Sequence, residues 1–368
     1  MHPKFESGQR MRVQPVTGFL GSGKTTTIRA LAEWLVAREL RVAVVTNDQS
    51  VGLIDTKTIG TKVANVREVS GACFCCKPDD FFAHIVDLEE HYKPDVLLTE
   101  PVGSCTDLNA TVWRPLRDIH PGRVELGPQL AVIDPIRAVR VLTNDPRLKP
   151  NVRDIWAWQV DEAELIAVNK IDTTSPETVA LAVELLRARW PPTPISAYSA
   201  ASGTGLSALA DRLLVSPGRF DHSPAVDYDR YADGEAELGW LNAIIGLTAV
   251  MPLSLAEVAF SGLKQFAACT RGAEIMHLKV SAESGSALAV VNLDRADGNP
   301  TVSTHTDAVA EHITLTINAR VQSGPEVLNS ALTSVETALG ALLGVVVTAS
   351  DAKSFRPGPP KPKYRLPV

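Results

Sequence analysis

Residues Gly18-Phe19-Leu20-Gly21-Ser22-Gly23-Lys24-Thr25-Thr26 read GxxxxGK[ST], placed between a short apolar run, Arg12 to Val16, and a stretch with helical spacing, Lys24 to Arg38. That pattern constrains the fold more than any other feature, because a phosphate-binding loop has to join a buried strand to a helix. Glycines at 18, 21 and 23 keep Cβ atoms out of the way, so successive backbone N–H groups can curl around phosphate oxygens. The helix that follows aims its positive end at the same charge. Ser22 and Thr26 complete the cradle, Lys24 is expected to reach the β and γ phosphates, and Thr25 to hold Mg²⁺. The chain should therefore bind a nucleoside triphosphate.

Apolar runs of strand length alternate with helical stretches through residues 1–215. The runs at Arg41 to Thr46, Asp95 to Thr99, Gln129 to Asp134, Leu165 to Asn169 and Thr193 to Ala197 are continuously Val/Ile/Leu-rich, and Val63 to Val69 is a further candidate. Strands without polar alternation are covered on both faces, which predicts an α/β P-loop NTPase domain with a mainly parallel sheet and crossover helices. Ligands then belong at the carboxyl ends of the strands. Residues 216–233, rich in Pro, Asp and Ser, read as a linker. Residues 234–350 read as a small C-terminal α+β domain of ferredoxin-like type, with Glu237 to Ala249 open between strand and apolar helix and with no chemistry of its own. Residues 351–368 read as a Pro-rich basic tail, solvated and polyproline-like or else a docking peptide.

Three further groups sit at predicted strand ends. Asn169-Lys170-Ile171-Asp172 follows a buried strand, where the Asp172 carboxylate can accept two hydrogen bonds from the guanine N1–H and N2 amino group while Asn169 and Lys170 brace the base and the phosphate loop. Adenine lacks that pair of donors, so a buried carboxylate left unpaired selects GTP. The polar run Ser196-Ala197-Tyr198-Ser199-Ala200 stands where a loop would close the base pocket. In Thr99-Glu100-Pro101-Val102-Gly103, Glu100 is placed to act on Mg²⁺, directly or through water, and Gly103 to approach the γ-phosphate. Asp48 offers a second carboxylate at the same rim. Each of the two acids can alternatively serve as a helix cap or turn residue.

Cys73, Cys75 and Cys76 crowd three of the chain's five cysteines into four positions between a strand and a helix. Three thiolates that close suit a borderline divalent ion such as Zn²⁺ with one coordination position open; a redox pair or buried packing are the other uses of such a cluster. Cys105, two residues past Gly103, is placed to reach the same rim as a fourth ligand. The eight histidines are scattered and form no metal-binding tract. A net charge of −6 gives no basic footprint for nucleic acid or an anionic membrane. With no secretion-type leader and no membrane-length apolar run, the protein is expected to be cytoplasmic.

Together GFLGSGKTT, TEPVG, NKID and above all GACFCC resemble the CobW family of metallochaperone GTPases, SIMIBI-class relatives of UreG, HypB and MeaB, over about residues 12 to 215. The resemblance implies that Cys73, Cys75 and Cys76 hold Zn²⁺ or Co²⁺ beside the nucleotide. It also implies that Lys24 and Thr25 contact phosphate and Mg²⁺, that Asp48 and Glu100 are switch carboxylates, and that Asn169 and Asp172 read guanine. The expected activity is GTP hydrolysis, slow without a partner because no catalytic arginine is identifiable, which loosens the metal for delivery to a client metalloprotein. A homodimer is a possibility suggested by relatives. Two rivals stay open: a G-protein chaperone of a cofactor-dependent enzyme, such as a cobalamin enzyme, with structural cysteines, and a non-hydrolysing metal-buffering module. The chain departs from the family in Asn47-Asp48-Gln49-Ser50, where Asn-Glu-Phe-Gly is common, and in the extra thiol Cys105.

Overall fold

The computed structural model describes residues 10–48, 65–70, 73–119 and 121–366. The described chain up to Tyr231 forms one unit with the residues from Pro360 onward, and Ala232–Pro359 form a second.

The first unit is built on eight strands: β1 Met11–Thr17, β2 Val42–Asp48, β3 Asn65–Ser70, β4 Val96–Glu100, β5 Val124–Leu126, β6 Leu130–Ile133, β7 Leu165–Val168 and β8 Ile195–Ala197. Their order is β3-β2-β4-β1-β6-β7-β8, with β5 also beside β1, and every pairing is parallel. This is the arrangement that continuous apolar runs demand. Val16, Val44, Leu98, Val132 and Ala167 from successive strands pack with Ile28, Leu31 and Leu35 of α1, Lys24–Val36, and with Leu209 and Leu213 further along the chain. Pro15 sits in the central strand β1 and has no N–H to give the ladder. Beside it the Gln14 side-chain amide donates to the Pro15 and Pro128 carbonyls at 3.0 and 2.7 Å, which closes the gap between β5 and β6.

Helices α2 Pro78–Asp87, α3 Arg114–Ile119, α4 Pro135–Leu142, α5 Pro150–Asp161, α6 Pro176–Arg189 and α7 Leu206–Val215 complete this unit. Five elements have no counterpart in the sequence reading: β5, α3 with the π-helical turn Asn109–Trp113 before it, α5, the helix Tyr228–Ala236, and a short strand of the second unit. β5 is three residues long, and Pro115 inside α3 masks its helical pattern.

The second unit carries β9 Gly239–Ser254, α9 Leu255–Cys269, β10 Ile275–Ser284, β11 Ala287–Leu293, β12 Thr301–Thr304, β13 Val309–Val321, α10 Pro325–Leu343 and β14 Val345–Phe355, after the helix α8 Tyr228–Ala236 in which the chain passes between units. The antiparallel order is β12-β11-β10-β13-β9-β14. Setting aside the β11–β12 hairpin, this is βαββαβ with the fourth, first, third and second strands side by side, the ferredoxin-like arrangement. The ambiguous run after Glu237 is therefore a strand, because Leu241, Ala243, Ile245 and Leu247 point alternately into the core with Leu263, Phe266, Leu332 and Val335 of the helices. Ser254 caps α9 by accepting from Glu257 N, a capping-box spacing visible in the sequence.

The segment expected to be a linker is packed onto the first unit: Phe220 is buried, Arg114 Nε donates to its carbonyl, and Gly218 N donates to Leu126 O at 2.8 Å. The proline-rich tail also divides, with Asp351 to Phe355 in β14 and Pro360 onward returning to the first unit. No helix among the described residues is long and apolar enough to cross a membrane.

Arg12, 2% exposed, donates from Nε and Nη2 to Leu213 O at 3.1 and 2.6 Å, and also bonds Ser216 O and Glu125, tying β1 to the chain leaving α7. Replacing Arg12 with Met leaves those carbonyls without donors and should lower unfolding stability by about 2 kcal/mol, read as a fall in the urea midpoint at unchanged slope.

Candidate functional site

The loop joining β1 to α1 lies at the carboxyl end of the sheet. Gly18, Gly21 and Gly23 have φ of 136°, 74° and 94°, backbone that side chains rarely adopt. A Cβ at Gly18 would meet Val132 O at 2.3 Å, and one at Gly23 would meet Asn169 Nδ2 at 2.4 Å. The loop is held from outside by the NKID segment. Asn169 Nδ2 donates to Ser22 O at 3.0 Å, and Asn169 Oδ1 accepts from Ala200 N at 3.0 Å. Lys170, itself at φ 61°, donates from Nζ to Gly21 O at 2.6 Å and to Asp134 Oδ2 at 2.8 Å. A non-glycine residue in that conformation is strained, and these two partners, with Thr173 N and Thr174 N donating to the Lys170 carbonyl at 3.2 and 3.1 Å, over-determine it here. Tyr198 is buried with its hydroxyl 2.6 Å from Thr27 Oγ1, and burial pushes its phenol well above the usual range. Ser22 Oγ is buried with no protein partner among the described residues, as suits a cradle whose ligand is an anion.

On the β4 side, Thr25 Oγ1 donates to Glu100 Oε1 at 2.9 Å, so the expected Mg²⁺ residues are in contact. Gly103 follows at once. A Cβ there would sit 2.8 Å from Leu20 Cδ2 and 3.0 Å from Lys24 Nζ, so the loop after β4 lies against Lys24 and a larger residue at 103 would push both side chains aside. Gln159 of α5 fixes this loop by donating from Nε2 to Gly103 O and Cys105 O at 3.0 and 2.8 Å.

The three cysteines form the metal-competent cluster found among the described residues. Their sulfurs are 2.9 Å apart for Cys73 and Cys75, 3.2 Å for Cys73 and Cys76, and 3.9 Å for Cys75 and Cys76, with no disulfide. Cys76 N and Lys77 N both donate to Cys73 O at 3.0 Å, a turn that points the thiols inward. Hydrogen bonds from Cys105, then Cys75 and Cys76, hold the Cys73 thiol well below the usual thiol range; the same bonds and burial push Cys75 well above it. The thiolate is the form in which a cysteine binds metal. Asn47, at the end of β2, anchors the loop: its Nδ2 donates to Val69 O at 2.8 Å and its Oδ1 accepts from Phe74 N at 2.9 Å. Phe74 stacks on Phe81 of α2 with centroids 4.1 Å apart.

The returning tail lies across both loops. Lys363 N donates to Cys75 O at 3.0 Å, the Lys361 backbone N–H faces Cys76, and Tyr364 stacks on Phe82 while its hydroxyl donates to Asp79 Oδ1 at 2.9 Å. Arg365 Nε donates to Asp107 Oδ2 at 2.7 Å; Asp107 is fully buried and also accepts from Tyr228 at 2.8 Å.

The fold thus gathers Gly18, Gly21, Ser22, Gly23, Lys24, Thr25, Glu100, Gly103, Asn169 and Lys170 around one loop, and Cys73, Cys75 and Cys76 around one point. Thr26 is half-buried in the first turn of α1, Asp172 is exposed just beyond β7, and Ser196 and Ala197 lie within β8 and not in the loop after it. The side chain of Asp48 lies outside the described residues. Asp134, Gln159 and the tail were missed from sequence. Asp134 alone carried a signal, an acid at a strand end before Pro135, and it reads there as an N-cap, a role it does fill by accepting from Arg137 N at 2.9 Å.

A parallel sheet with this glycine-lined loop, its lysine and its braced NKID segment defines a P-loop nucleotide-binding protein. Residues 12–192 match the model of the CobW/HypB/UreG nucleotide-binding domain. The chain is 33% identical over 175 residues to the zinc chaperone YeiR of Escherichia coli (strain K12), covering 45% of this chain and 48% of that protein. It is 26% identical over 178 residues to the zinc chaperone CobW of a Sinorhizobium species, covering 43% and 50%. With the zinc-regulated GTPase metalloprotein activator 1 of Dictyostelium discoideum it shares 30% over 114 residues, covering 27% and 24%. The match spans half or less of each of these curated relatives.

A chain ending at Pro359 loses every tail contact with the cysteine loop. Its thiols should react with a disulfide reagent such as DTNB about tenfold faster than those of the full chain, as expected when local opening becomes easier by about 1.4 kcal/mol. Equal rates would mean that the tail does not protect them.

Proposed function

We propose that this protein is a GTP-binding and GTP-hydrolysing metallochaperone that takes a divalent transition metal, Zn²⁺ or alternatively Co²⁺, on Cys73, Cys75 and Cys76 and delivers it to a client metalloprotein. The observation that carries the reading is a three-thiol cluster tied by Asn47 to the end of β2, on the same sheet edge as the glycine-lined loop whose Lys24 lies against Gly103. The zinc chaperone and GTPase names of the relatives support it.

In this reading the backbone N–H groups of Gly21 to Thr25 and the Lys24 ammonium bind the phosphates. Thr25, Glu100 and Asp48 are the residues that would hold Mg²⁺, which would supply positive charge to offset that of the phosphates. Asp172 accepts the two guanine donors, while Asn169 and Lys170 keep the base loop in register with the phosphate loop. Ser196 and Ala197 precede the segment that closes this side. The carbonyl-to-side-chain brace at Gly21 and Ser22 means that base and phosphate recognition are one rigid piece. Glu100 and Gly103 belong to the piece that can relax when the γ-phosphate leaves, and Asn47 and the second-switch loop pass that change to the thiols. No catalytic arginine is identifiable in the sequence, so turnover is expected to be slow until a partner, a client or a second copy adds positive charge. The site of action proposed is the cytoplasm, with neither nucleic acid nor membrane as partner.

Two measurements test this. Asp172→Asn removes two hydrogen bonds to guanine and should weaken GTP about a hundredfold, at about 1.4 kcal/mol per bond, while xanthosine triphosphate gains affinity because the new amide donates where guanine's amino group is replaced by oxygen. Unchanged base preference would exclude Asp172 as the reader. Competition with a chromophoric chelator should give tighter Zn²⁺ with a non-hydrolysable GTP analogue than with GDP by roughly 5- to 150-fold, the usual scale of coupling. Cys75→Ala should keep GTP and lose that difference. Equal Zn²⁺ affinity in both nucleotide states would refute the coupling.

A further inference from the structure

We infer that Cys105 is a fourth protein ligand of the metal held by Cys73, Cys75 and Cys76, and that through it the second-switch loop holds the metal directly; this rests on the metallochaperone reading above. Cys105 is 3% exposed, and its thiol lies within hydrogen-bonding reach of both Cys73 and Cys75. Cys105 therefore joins the Cys73–Cys75 pair from a second loop more than twenty-five residues away in sequence, while the half-buried Cys76 completes the three-sulfur cluster of the first loop. A tetrahedral zinc–thiolate site with Zn–S of about 2.3 Å has sulfur–sulfur edges of about 3.8 Å. The edges within the first three, 2.9 to 3.9 Å, are already at or inside that size, so an ion needs only a small outward breathing of side chains.

The backbone around Cys105 is built to hold a ligand in place. Cys105 N donates to Val102 O at 2.9 Å, a tight turn, and its carbonyl is fixed by Gln159 at 2.8 Å. Two residues earlier, Gly103 lies against Lys24; two residues later, Asp107 is buried under Arg365. A ligand on this short segment cannot keep its position if Gly103 moves. Three thiols on one loop form a grip that nucleotide state reaches only indirectly, whereas a fourth thiol on the loop touching Lys24 makes metal coordination depend on that loop.

The test uses the full-length protein loaded with Co²⁺ or Zn²⁺ alone. X-ray absorption at the zinc edge of the unmutated protein counts sulfur ligands without any substitution; four are expected. The thiolate-to-cobalt charge-transfer band, whose intensity rises with each bound thiolate, should lose one sulfur's share in Cys105→Ser, with circular dichroism matching the parent to show that the variant is folded. Three sulfurs plus a lighter ligand in the unmutated protein, or identical cobalt spectra for parent and Cys105→Ser, would overturn the inference and leave the three-cysteine metal reading standing. Failure of the unmutated protein to bind either ion would overturn both.

Discussion

Gly103 lies against Lys24, whose ammonium would stand 3.0 Å from a Cβ at that position, and that contact is the constraint on which the proposed coupling depends. In the proposed reading Lys24 meets the negative charge of a triphosphate. The segment touching it continues within two residues to Cys105 and from there to the sulfur of Cys73. A second path runs from the end of β2 through Asn47 to Phe74. Both paths are short because β3, β2, β4 and β1 are adjacent and parallel, so their loops emerge on one edge.

Magnitudes favour such short paths. A coupling between two ligands of about 1 to 3 kcal/mol is the common range, and one hydrogen bond contributes about 1 kcal/mol net. The few bonds that hold the second-switch loop, from Gln159 and Arg365, are therefore enough to carry the whole effect, and no long network is required.

Much of this was legible in the chain itself. Gly18 to Thr26, Asn169 to Asp172 and Cys73 to Cys76 are local words whose chemistry depends on residues adjacent in sequence, so reading them needs no fold. The ferredoxin-like unit was readable in outline because Leu255 to Cys269 and Pro325 to Leu343 keep a helical period with clean caps. What escaped were side chains that work across long separations. Gln159 acts on a loop more than fifty residues away, and nothing marks a glutamine in an amphipathic helix as a brace. Lys363, Tyr364 and Arg365 sit among prolines, a composition that reads as solvated chain. Their partners Asp79, Phe82 and Asp107 become neighbours only when the sheet has assembled. Val124–Leu126 was too short to register, and the linker reading failed at Phe220 because one buried aromatic outweighs the polar residues around it.

If thiols and triphosphate are energetically joined, the dependence runs both ways: a metal that prefers the GTP-bound protein obliges GTP to prefer the metal-bound protein by the same factor. Calorimetric titration of a non-hydrolysable GTP analogue into the zinc-free and the zinc-loaded protein measures this from the nucleotide side. The account predicts tighter nucleotide binding to the zinc-loaded form, by the ratio seen in zinc affinity between the two nucleotide states. Identical nucleotide affinity with and without zinc would contradict it.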